Sequence, residues 1–213
     1  MFCGKCGLKI GENENKCKAC GWDVPNIEDI VTQILEDKAE TIMSAAYKIG
    51  STGPAGGFVF YDKGEFSDGW QYLESAPANT EFTGQWGTYS LGGVLMIKGI
   101  EVSGTSEALG SGKANTQLIL DVLKENNERG RVAQMVTQLN INGFTDWFLP
   151  SKKELDLMYK NLKACGLGNF NKGFYWSSSQ SNRSFAWVQR FSDGDQSNYS
   201  KNNPCAVRAA RAF

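Results

Sequence analysis

The chain has 213 residues, enough for one medium-sized domain and a small appendage, and its formal net charge is −1. With 22 basic and 23 acidic residues, the chain has no excess of positive charge that would favour binding to nucleic acid or to a membrane surface. Because the chain contains no histidine, it lacks the usual acid–base catalyst near neutral pH and the commonest nitrogen ligand for metals, and we expect no catalytic activity.

The 24 glycines and 12 phenylalanines favour a loop-rich domain with aromatic packing over a helical bundle. No apolar run of the signal-peptide type stands at the N-terminus. No window approaches the roughly 18 to 20 apolar residues that a membrane-spanning helix requires. We therefore expect a cytoplasmic location by default.

Residues 1–24 contain two Cys-x-x-Cys pairs, each followed by glycine. The four thiols that this spacing brings together belong to Cys3, Cys6, Cys17 and Cys20. Four thiolates predict a closed tetrahedral Zn(II) site, which is structural because no coordination position stays open for a substrate. Two disulfides in a secreted mini-domain are the alternative, which the paired spacing and the missing export signal disfavour. The segment is similar to the zinc-ribbon modules at the N-termini of many bacterial proteins. Because its charge is unremarkable, we do not expect it to recognise the bases of a nucleic acid.

Residues 25–49 are predicted to form an amphipathic helical linker. Pro25 and Asn26 are suitable start signals, and apolar residues then recur at helical spacing over 27–47. Two interpretations stay open. The helix is either a stalk that packs on the main domain or on a second copy of the chain, or a simple connector.

Beyond Gly50, aromatic runs at 58–61 and 70–73 predict a pair of adjacent strands. Residues 110–113 resemble a phosphate-binding loop only superficially, because Lys113 is followed by alanine and the glycine spacing is wrong. Apolar periodicity instead predicts helices over 115–124 and 131–139, which we expect to cover one side of a sheet.

Ser151 and Glu154 have the spacing of a capping box, in which each side chain bonds the backbone N–H of the other. The helix that follows is predicted over 152–162, with its stop near Gly166. We interpret Asp146 and Trp147, just before this box, as residues that hold a turn and do not contact a ligand.

The last forty residues begin with three aromatic residues at 174–176, end with an apolar and basic run at 205–213, and are polar between these ends. In the strand 185–191, period-2 geometry places Trp187, Gln189 and Phe191 on one face and Val188 and Arg190 on the other. We expect the first face to be core and the second to be exposed. In the segment 192–203, nine of twelve residues are Ser, Asp, Asn or Tyr. All four are encoded by codons that differ from an AAC or AAT asparagine codon by at most one adenine.

Four motifs carry a resemblance to a known family. They are Tyr-Trp-Ser-Ser-Ser at 175–179, Ala-Trp-x-Gln-x-Phe-x-x-Gly at 186–194, Val-Arg-x-x-Arg-Ala-Phe at 207–213 and Gly-x-Thr-Asp-Trp-x-Leu-Pro-Ser at 143–151. With the Gly-Pro-Ala-Gly-Gly segment near residue 53, they resemble the variable proteins of diversity-generating retroelements and the wider bacterial family that includes the C-terminal domain of collagen-like adhesins.

The resemblance implies an α+β fold of the C-type-lectin-like type over residues 50–213, with mixed small sheets and packed helices. It also implies a variable region at about 176–213, in which adenine-directed mutagenesis alters ligand-contacting residues. Association with a phage or virion is left open.

The function that we expect is non-catalytic recognition of a macromolecular ligand, a protein or a cell surface. The predicted contact residues are Arg183, Phe185, Val188, Arg190, Asp193, Asp195, Ser197, Asn198, Tyr199 and Asn202. The predicted buried scaffold consists of Trp176, Trp187, Phe191 and Phe213.

Three alternatives remain. An enzyme of the formylglycine-generating type, which has a related fold, would need a cysteine, and Cys165 and Cys205 are the two outside the ribbon. A calcium-dependent lectin would use Asp193 and Asp195 as oxygen ligands for Ca(II), although the Glu-Pro-Asn and Trp-Asn-Asp strings of animal lectins are absent. A nucleic-acid adaptor would act through the ribbon, with salt-sensitive binding.

Overall fold

The computed structural model describes residues 2–11, 16–21, 23, 31–32, 47–87, 89–92 and 96–213, with the backbone alone at 89–92 and 96–98. The chain divides into two compact units, Met1–Ala46 and Tyr47–Phe213. Most of the helix predicted over 27–47 lies outside the described residues. Of that stretch, Val31 and Thr32 are described as helical. In the described part of the chain, no helix has the length and apolar character needed to span a bilayer.

The second unit contains both helices and strands, which confirms the α+β class. Its strands are β1 (Phe58–Ser67), β2 (Trp70–Ser75), β3 (Phe82–Gln85), β4 (Tyr89–Gly92), β5 (Met96–Gly99), β6 (Phe174–Gln180), β7 (Phe185–Arg190), β8 (Gln196–Ser200), β9 (Pro204–Val207) and β10 (Ala210–Ala212). Its α-helices are α1 (Gly112–Glu125), α2 (Val132–Val136) and α3 (Lys152–Met158). A single 3₁₀ turn spans Ala78–Thr80, and a π-helical turn spans Tyr159–Lys163.

The strands form three sheets. The first has the order β1-β2-β10, the second β3-β9-β6-β7-β8 and the third β4-β5. β1 and β2 form the antiparallel pair expected from the aromatic runs. β10 also pairs with β2, with Ala210 opposite Ser75, so the last strand joins the first hairpin. In the five-stranded sheet β6 and β9 run parallel, and the remaining neighbours are antiparallel.

The capping box at the start of α3 is confirmed, and its glutamate also caps α1. Glu154 is fully buried and accepts hydrogen bonds from the backbone N–H groups of Ser151 at 2.7 Å, Gly110 at 2.8 Å and Gly112 at 3.3 Å. Burial raises the pKa of this carboxyl, and the three N–H donors partly offset the rise. One side chain therefore fixes the starts of two helices relative to each other.

Two helices end earlier than predicted. After α2, the N–H groups of Gln138 and Leu139 bond to carbonyls three residues back, so the α-helical pattern stops at Val136 and a tighter turn follows. The helix predicted over 152–162 changes to π-helical bonding after Met158. Its predicted stop is confirmed, because Gly166 has a φ of +75°, the left-handed conformation typical of helix ends.

The five-stranded sheet is covered on both faces. One face packs on α1 and α2, where the buried residues of the helices are Ile119, Leu123, Val132, Ala133 and Val136. The other face packs on α3 and the π-helical turn, through Leu155, Met158 and Leu162. The prediction that the helices over 115–124 and 131–139 cover one side of a sheet is confirmed, and α3 covers the other side. Covering both sides leaves the outer edges of the sheet, and the loops that join its strands, as its exposed parts.

Candidate functional site

β7 is an internal strand, and this changes where the variable segment meets solvent. Ala186 and Val188 are 0% and 1% exposed and lie in the core cluster that also includes residues of α1 and α2, with Val188 paired to the buried Trp176 on β6. Gln189, on the opposite face, is also 0% exposed. The expected outward position of Val188 is therefore wrong, because the face that the sequence pattern left open is buried in the core.

The other nine predicted contact residues gather around β8, at one edge of the sheet. We call this set the edge surface, and it consists of Arg183, Phe185, Arg190, Asp193, Asp195, Ser197, Asn198, Tyr199 and Asn202. Five members are exposed: Arg183, Phe185, Asp193, Asp195 and Asn198. The other four are half-buried. Three come from β8 itself and three from the turns that flank it, Asp193, Asp195 and Asn202. Phe185 and Arg190 are the end residues of β7, and Arg183 lies in the turn between β6 and β7.

A buried polar and aromatic layer supports the edge surface. Trp176 is 0% exposed, and its indole N–H donates to the Gly84 carbonyl at 3.0 Å. Phe191 is 1% exposed, so the prediction of burial is confirmed for these two aromatics. Trp187 is only half-buried, and the Lys152 ammonium lies 3.2 Å from its ring centre. Phe213, the fourth predicted scaffold residue, is also half-buried.

The conformation of the loop 192–195 is stabilised by contacts with Gln189 and Tyr159. Gln189 donates from Nε2 to Asp156 Oδ1 at 3.2 Å and to the Gly194 carbonyl at 3.1 Å. Gly194 has a φ of +83°, and a Cβ atom at this position would lie 2.4 Å from a ring carbon of Tyr159. Glycine is therefore required here for both its backbone conformation and its small size. A buried glutamine thus shapes an exposed loop, a role that the alternation pattern alone does not reveal.

The acidic residues of this loop pair with an arginine. Arg190 Nη2 lies 2.9 Å from Asp193 Oδ2 and 3.8 Å from Asp195 Oδ2. The hydrogen bond and charge of Arg190 lower the pKa of Asp193, and Asp193 in turn raises the pKa of Arg190. A calcium ion bound by the two carboxylates would have to compete with this guanidinium, so the geometry gives no support to the lectin alternative.

An aromatic strip next to the loop is not evident from the sequence pattern. The Phe174 ring stacks on the Tyr199 ring, with centroids 5.3 Å apart and an interplanar angle of 17°. The Arg190 guanidinium carbon lies 5.7 Å from the centre of the Phe174 ring. Phe174 belongs to β6 and Arg190 is its partner on β7, so only the register of the strands brings them together.

Two residues within or next to the polar run are buried instead of displayed. Lys201 is 1% exposed, and its ammonium donates to the Ile100 carbonyl at 3.0 Å and to Gln180 Oε1 at 2.5 Å. Burial lowers its pKa to about 8. Cys205 is 4% exposed, and burial raises the pKa of its thiol to about 12.

Neither of the two cysteines outside the first unit lies in an activating environment. A thiol with the raised pKa of Cys205 is a poor nucleophile. Cys165 is exposed, and its sulfur contacts the Lys160 carbonyl oxygen at 3.7 Å. The geometry thus supplies no support for the cysteine-dependent enzyme.

The two arginines of the C-terminal motif are structural. Arg208 is 1% exposed and donates to Glu81 Oε2 at 2.6 Å and to the Gly168 carbonyl at 2.8 Å. Arg211 donates from Nε to Asp146 Oδ1 at 2.6 Å. This ion pair joins the last strand to the segment 143–151, so Asp146 makes a long-range contact in addition to the turn role predicted for it.

In the first unit, the four cysteine sulfurs all lie within 4.8 Å of one another. The sulfur of Cys3 is 3.5 Å from that of Cys20, and the sulfur of Cys6 is 3.6 Å from that of Cys17. Each pair closes a tight turn, with Gly7 N–H bonded to the Cys3 carbonyl at 3.0 Å and Gly21 N–H to the Cys17 carbonyl at 2.7 Å. The four side chains could hold a metal ion.

Comparisons with known proteins address the second unit. A family model for the Lcl C-terminal domain matches residues 108–211, a range that includes the entire edge surface. Among solved structures, a fimbrial protein from Bacteroides ovatus ATCC 8483 is similar at 14% sequence identity, with a TM-score of 0.46. The similarity covers 67% of this chain and 36% of the fimbrial protein, so the chain matches about a third of that protein's length. The search of curated protein sequences produced no match.

Proposed function

We propose that this chain is a non-catalytic binding protein of C-type-lectin-like fold and that its edge surface recognises a macromolecular ligand, a protein or a cell surface. The observation that carries the proposal is the position of nine polar and aromatic side chains on the edge strand β8, at the ends of its neighbour β7 and in the adjoining turns, above a layer in which Trp176 and Phe191 are buried. The match to the Lcl C-terminal domain spans all nine and agrees with an adhesin-like role.

The chemistry of the edge surface suits protein recognition. Arginine, tyrosine and phenylalanine supply most of the binding energy at such surfaces, and Arg183, Phe185 and Tyr199 are of these types. Serine and asparagine, at Ser197 and Asn198, adapt their hydrogen bonds at small entropic cost. Opposite charges are present side by side, so the surface has no single sign that would select a polyanion or a polycation.

We propose further that this surface is diversified by adenine-directed mutagenesis. The residue types of 192–203 support this, because most of them are encoded by codons that differ from an asparagine codon by at most one adenine. The separation of exposed and buried positions in the C-terminal segment also supports it. A substitution at Asn198 alters an exposed side chain, whereas the packing depends on residues such as Val188 and Phe191. The test is genomic: a nearby reverse-transcriptase gene and a near-copy of the sequence encoding 176–213, mismatched only at adenines. Mismatches spread over all four bases would contradict this part of the proposal.

The binding role is tested by incubating the fluorescently labelled full chain with a panel of intact bacterial cells and comparing two surface variants. The triple variant Arg183→Ala, Phe185→Ala, Asn198→Ala changes exposed members of the edge surface. The control variant Lys113→Ala, Gln117→Ala changes exposed residues of α1. On cells that bind the parent chain, the triple variant should lose at least about tenfold in affinity, because hot-spot truncations each cost roughly 1–2 kcal/mol.

The control should bind as the parent does, and both variants should keep the melting temperature of the parent within roughly 2 °C, since they change exposed side chains. Equal binding by parent, triple variant and control on every cell type would refute the edge surface as the recognition site.

For the first unit we propose a structural Zn(II) site formed by Cys3, Cys6, Cys17 and Cys20. Zinc–sulfur bonds of about 2.3 Å in a tetrahedron separate the sulfurs by about 3.8 Å. The sulfur–sulfur distances of 3.5 and 3.6 Å, with all four within 4.8 Å, fit this geometry. The Lys5 backbone N–H lies 3.4 Å from the Cys3 sulfur and would help to neutralise the thiolate charge.

A further inference from the structure

β8 lies at one end of the five-stranded sheet, with β7 as its neighbour. The two strands pair from Phe185 opposite Ser200 to Gln189 opposite Gln196. Two hydrogen bonds just beyond the ends of this ladder show which alternate residues of β8 bond to β7. Arg190 N–H donates to the Asp195 carbonyl at 2.8 Å, and Lys201 N–H donates to the Ser184 carbonyl at 3.0 Å.

In an antiparallel ladder, every second residue directs both its N–H and its C=O to the neighbouring strand. Because residues 195 and 201 bond towards β7, so do 197 and 199. The backbone groups of Gln196, Asn198 and Ser200 therefore point away from the sheet. Within the described part of the chain, the N–H groups of all three, and the carbonyls of Gln196 and Asn198, have no hydrogen-bond partner; the Ser200 carbonyl accepts from Asn203 N–H at 2.9 Å.

β8 lacks the side chains and the bulge that commonly protect an open sheet edge. Natural edge strands are guarded by lysine, proline, a bulge or an inward charge. The sequence of β8, Gln-Ser-Asn-Tyr-Ser, contains neither a charged residue nor a proline, and its register with β7 is regular. Asn198, at its centre, is exposed.

We infer that β8 accepts an extended segment of a partner polypeptide as a sixth strand of the sheet. This inference rests on the proposed function and specifies its ligand class. Outward donors and acceptors repeat at every second residue, roughly 7 Å apart, and an extended backbone presents the complementary groups at the same interval. Main-chain bonds of this kind do not depend on side-chain identity. Binding would thus persist while the diversified side chains at 197–199 change which segment is preferred.

The size of the edge favours a flexible segment over a second copy of this chain. A five-residue strand is about 17 Å long, and pairing along it alone buries far less than the roughly 1,200 Å² of a stable interface between folded proteins. An extended peptide can also follow the flanking turns, where it would meet Arg183 and Phe185 at one end and Asp193 and Asp195 at the other.

The test begins with a phage library of random linear 12-residue peptides, selected on the full chain in the presence of zinc. The dissociation constants of enriched peptides are then measured against the variants Asn198→Pro and Asn198→Ala. Proline removes the outward N–H and is tolerated at an edge position of this kind, whereas alanine removes the side chain only. We expect Asn198→Pro to weaken binding at least tenfold more than Asn198→Ala does.

Hydrogen exchange of the parent chain gives a second measurement that needs no variant. Peptide binding should slow the exchange of the amides of Gln196, Asn198 and Ser200 at least tenfold. Two versions of each peptide, N-methylated at odd-numbered or at even-numbered residues, should differ in binding. The version that keeps the N–H groups facing β8 should bind, and the other should not. These outcomes would support strand addition even if Asn198→Pro impaired folding.

Four results would overturn the inference. Peptides that bind equally well in both methylated versions, or that leave the three amides unprotected, would show that no strand is added. If these amides were protected in the free chain, and more strongly at higher protein concentration, the occupant of the edge would be a second copy of the chain. Failure to enrich any linear peptide, while cell binding still depends on the edge surface, would refute strand addition and leave the proposed function intact.

Discussion

Val188→Ala tests whether the strand β7 is internal. The sequence pattern places Val188 on an exposed face, whereas in the structure it is 1% exposed and packs with Trp176 in the core. Removing two methyl groups loses about 1.6 kcal/mol of transfer free energy, at about 0.8 kcal/mol per buried carbon. The cavity left behind raises the expected loss of unfolding free energy to about 2–3 kcal/mol.

The measurement is urea unfolding followed by tryptophan fluorescence, which reports mainly on residues 47–213 because all of the six tryptophans except Trp22 lie there. For a unit of this size, the expected loss lowers the melting temperature by about 4–12 °C. Asn198→Ala, on the neighbouring strand, is the control and should change stability by less than about 0.5 kcal/mol. If Val188→Ala were as mild as the control, the two-sided burial of β7, and with it the edge surface, would be refuted.

Three further predictions concern the metal site, the buried lysine and the loop glycine. The purified full chain should contain one zinc ion, and Cys6→Ser should weaken zinc binding more than about tenfold in a chelator competition, while Cys165→Ser leaves it unchanged. Because Lys201 has its pKa lowered from 10.5 to about 8 in the folded state, the unfolded chain binds more protons between these pH values, and the unfolding free energy should rise with pH across that window. In Lys201→Met this rise, about 3 kcal/mol at most, should disappear from pH-dependent unfolding curves; an unchanged pH profile would show that the ammonium is not buried. Gly194→Ala should cost about 2–3 kcal/mol of stability, because its φ is positive and the added Cβ meets a ring carbon at 2.4 Å. Gly64→Ala, at a similar φ of +89° with open space around it, should cost only about 1 kcal/mol, and equal losses in the two variants would contradict the steric argument.

Local rules account for much of this fold. The capping box at Ser151 and Glu154 is predictable because both partners lie within one helical turn and their bonds depend on sequence spacing alone. The helix stop at Gly166 and the pairing of β1 with β2 follow from similarly short-range signals. Paired Cys-x-x-Cys spacing likewise predicts that the four thiols of the first unit lie close together, as they do.

Long-range contacts set the limits of prediction from local sequence. Glu154 caps α1 as well as its own helix, and this depends on Gly110 and Gly112, which lie more than forty residues earlier. The stacking of Phe174 on Tyr199 requires the register of three neighbouring strands. Nothing in the local pattern around Lys201 indicates that its ammonium is buried.

Residue order alone establishes which positions of the C-terminal segment alternate, which aromatics are available for a core, and that four thiols meet in the first unit. Which side of each strand reaches solvent depends on the packing of elements that lie far apart in the chain. Alternation with a period of two separates the faces of a strand, but it does not show whether a helix covers one of them. Both faces of β7 are buried, so the exposed surface moves from the face of the strand, where the pattern placed it, to the edge of the sheet at β8.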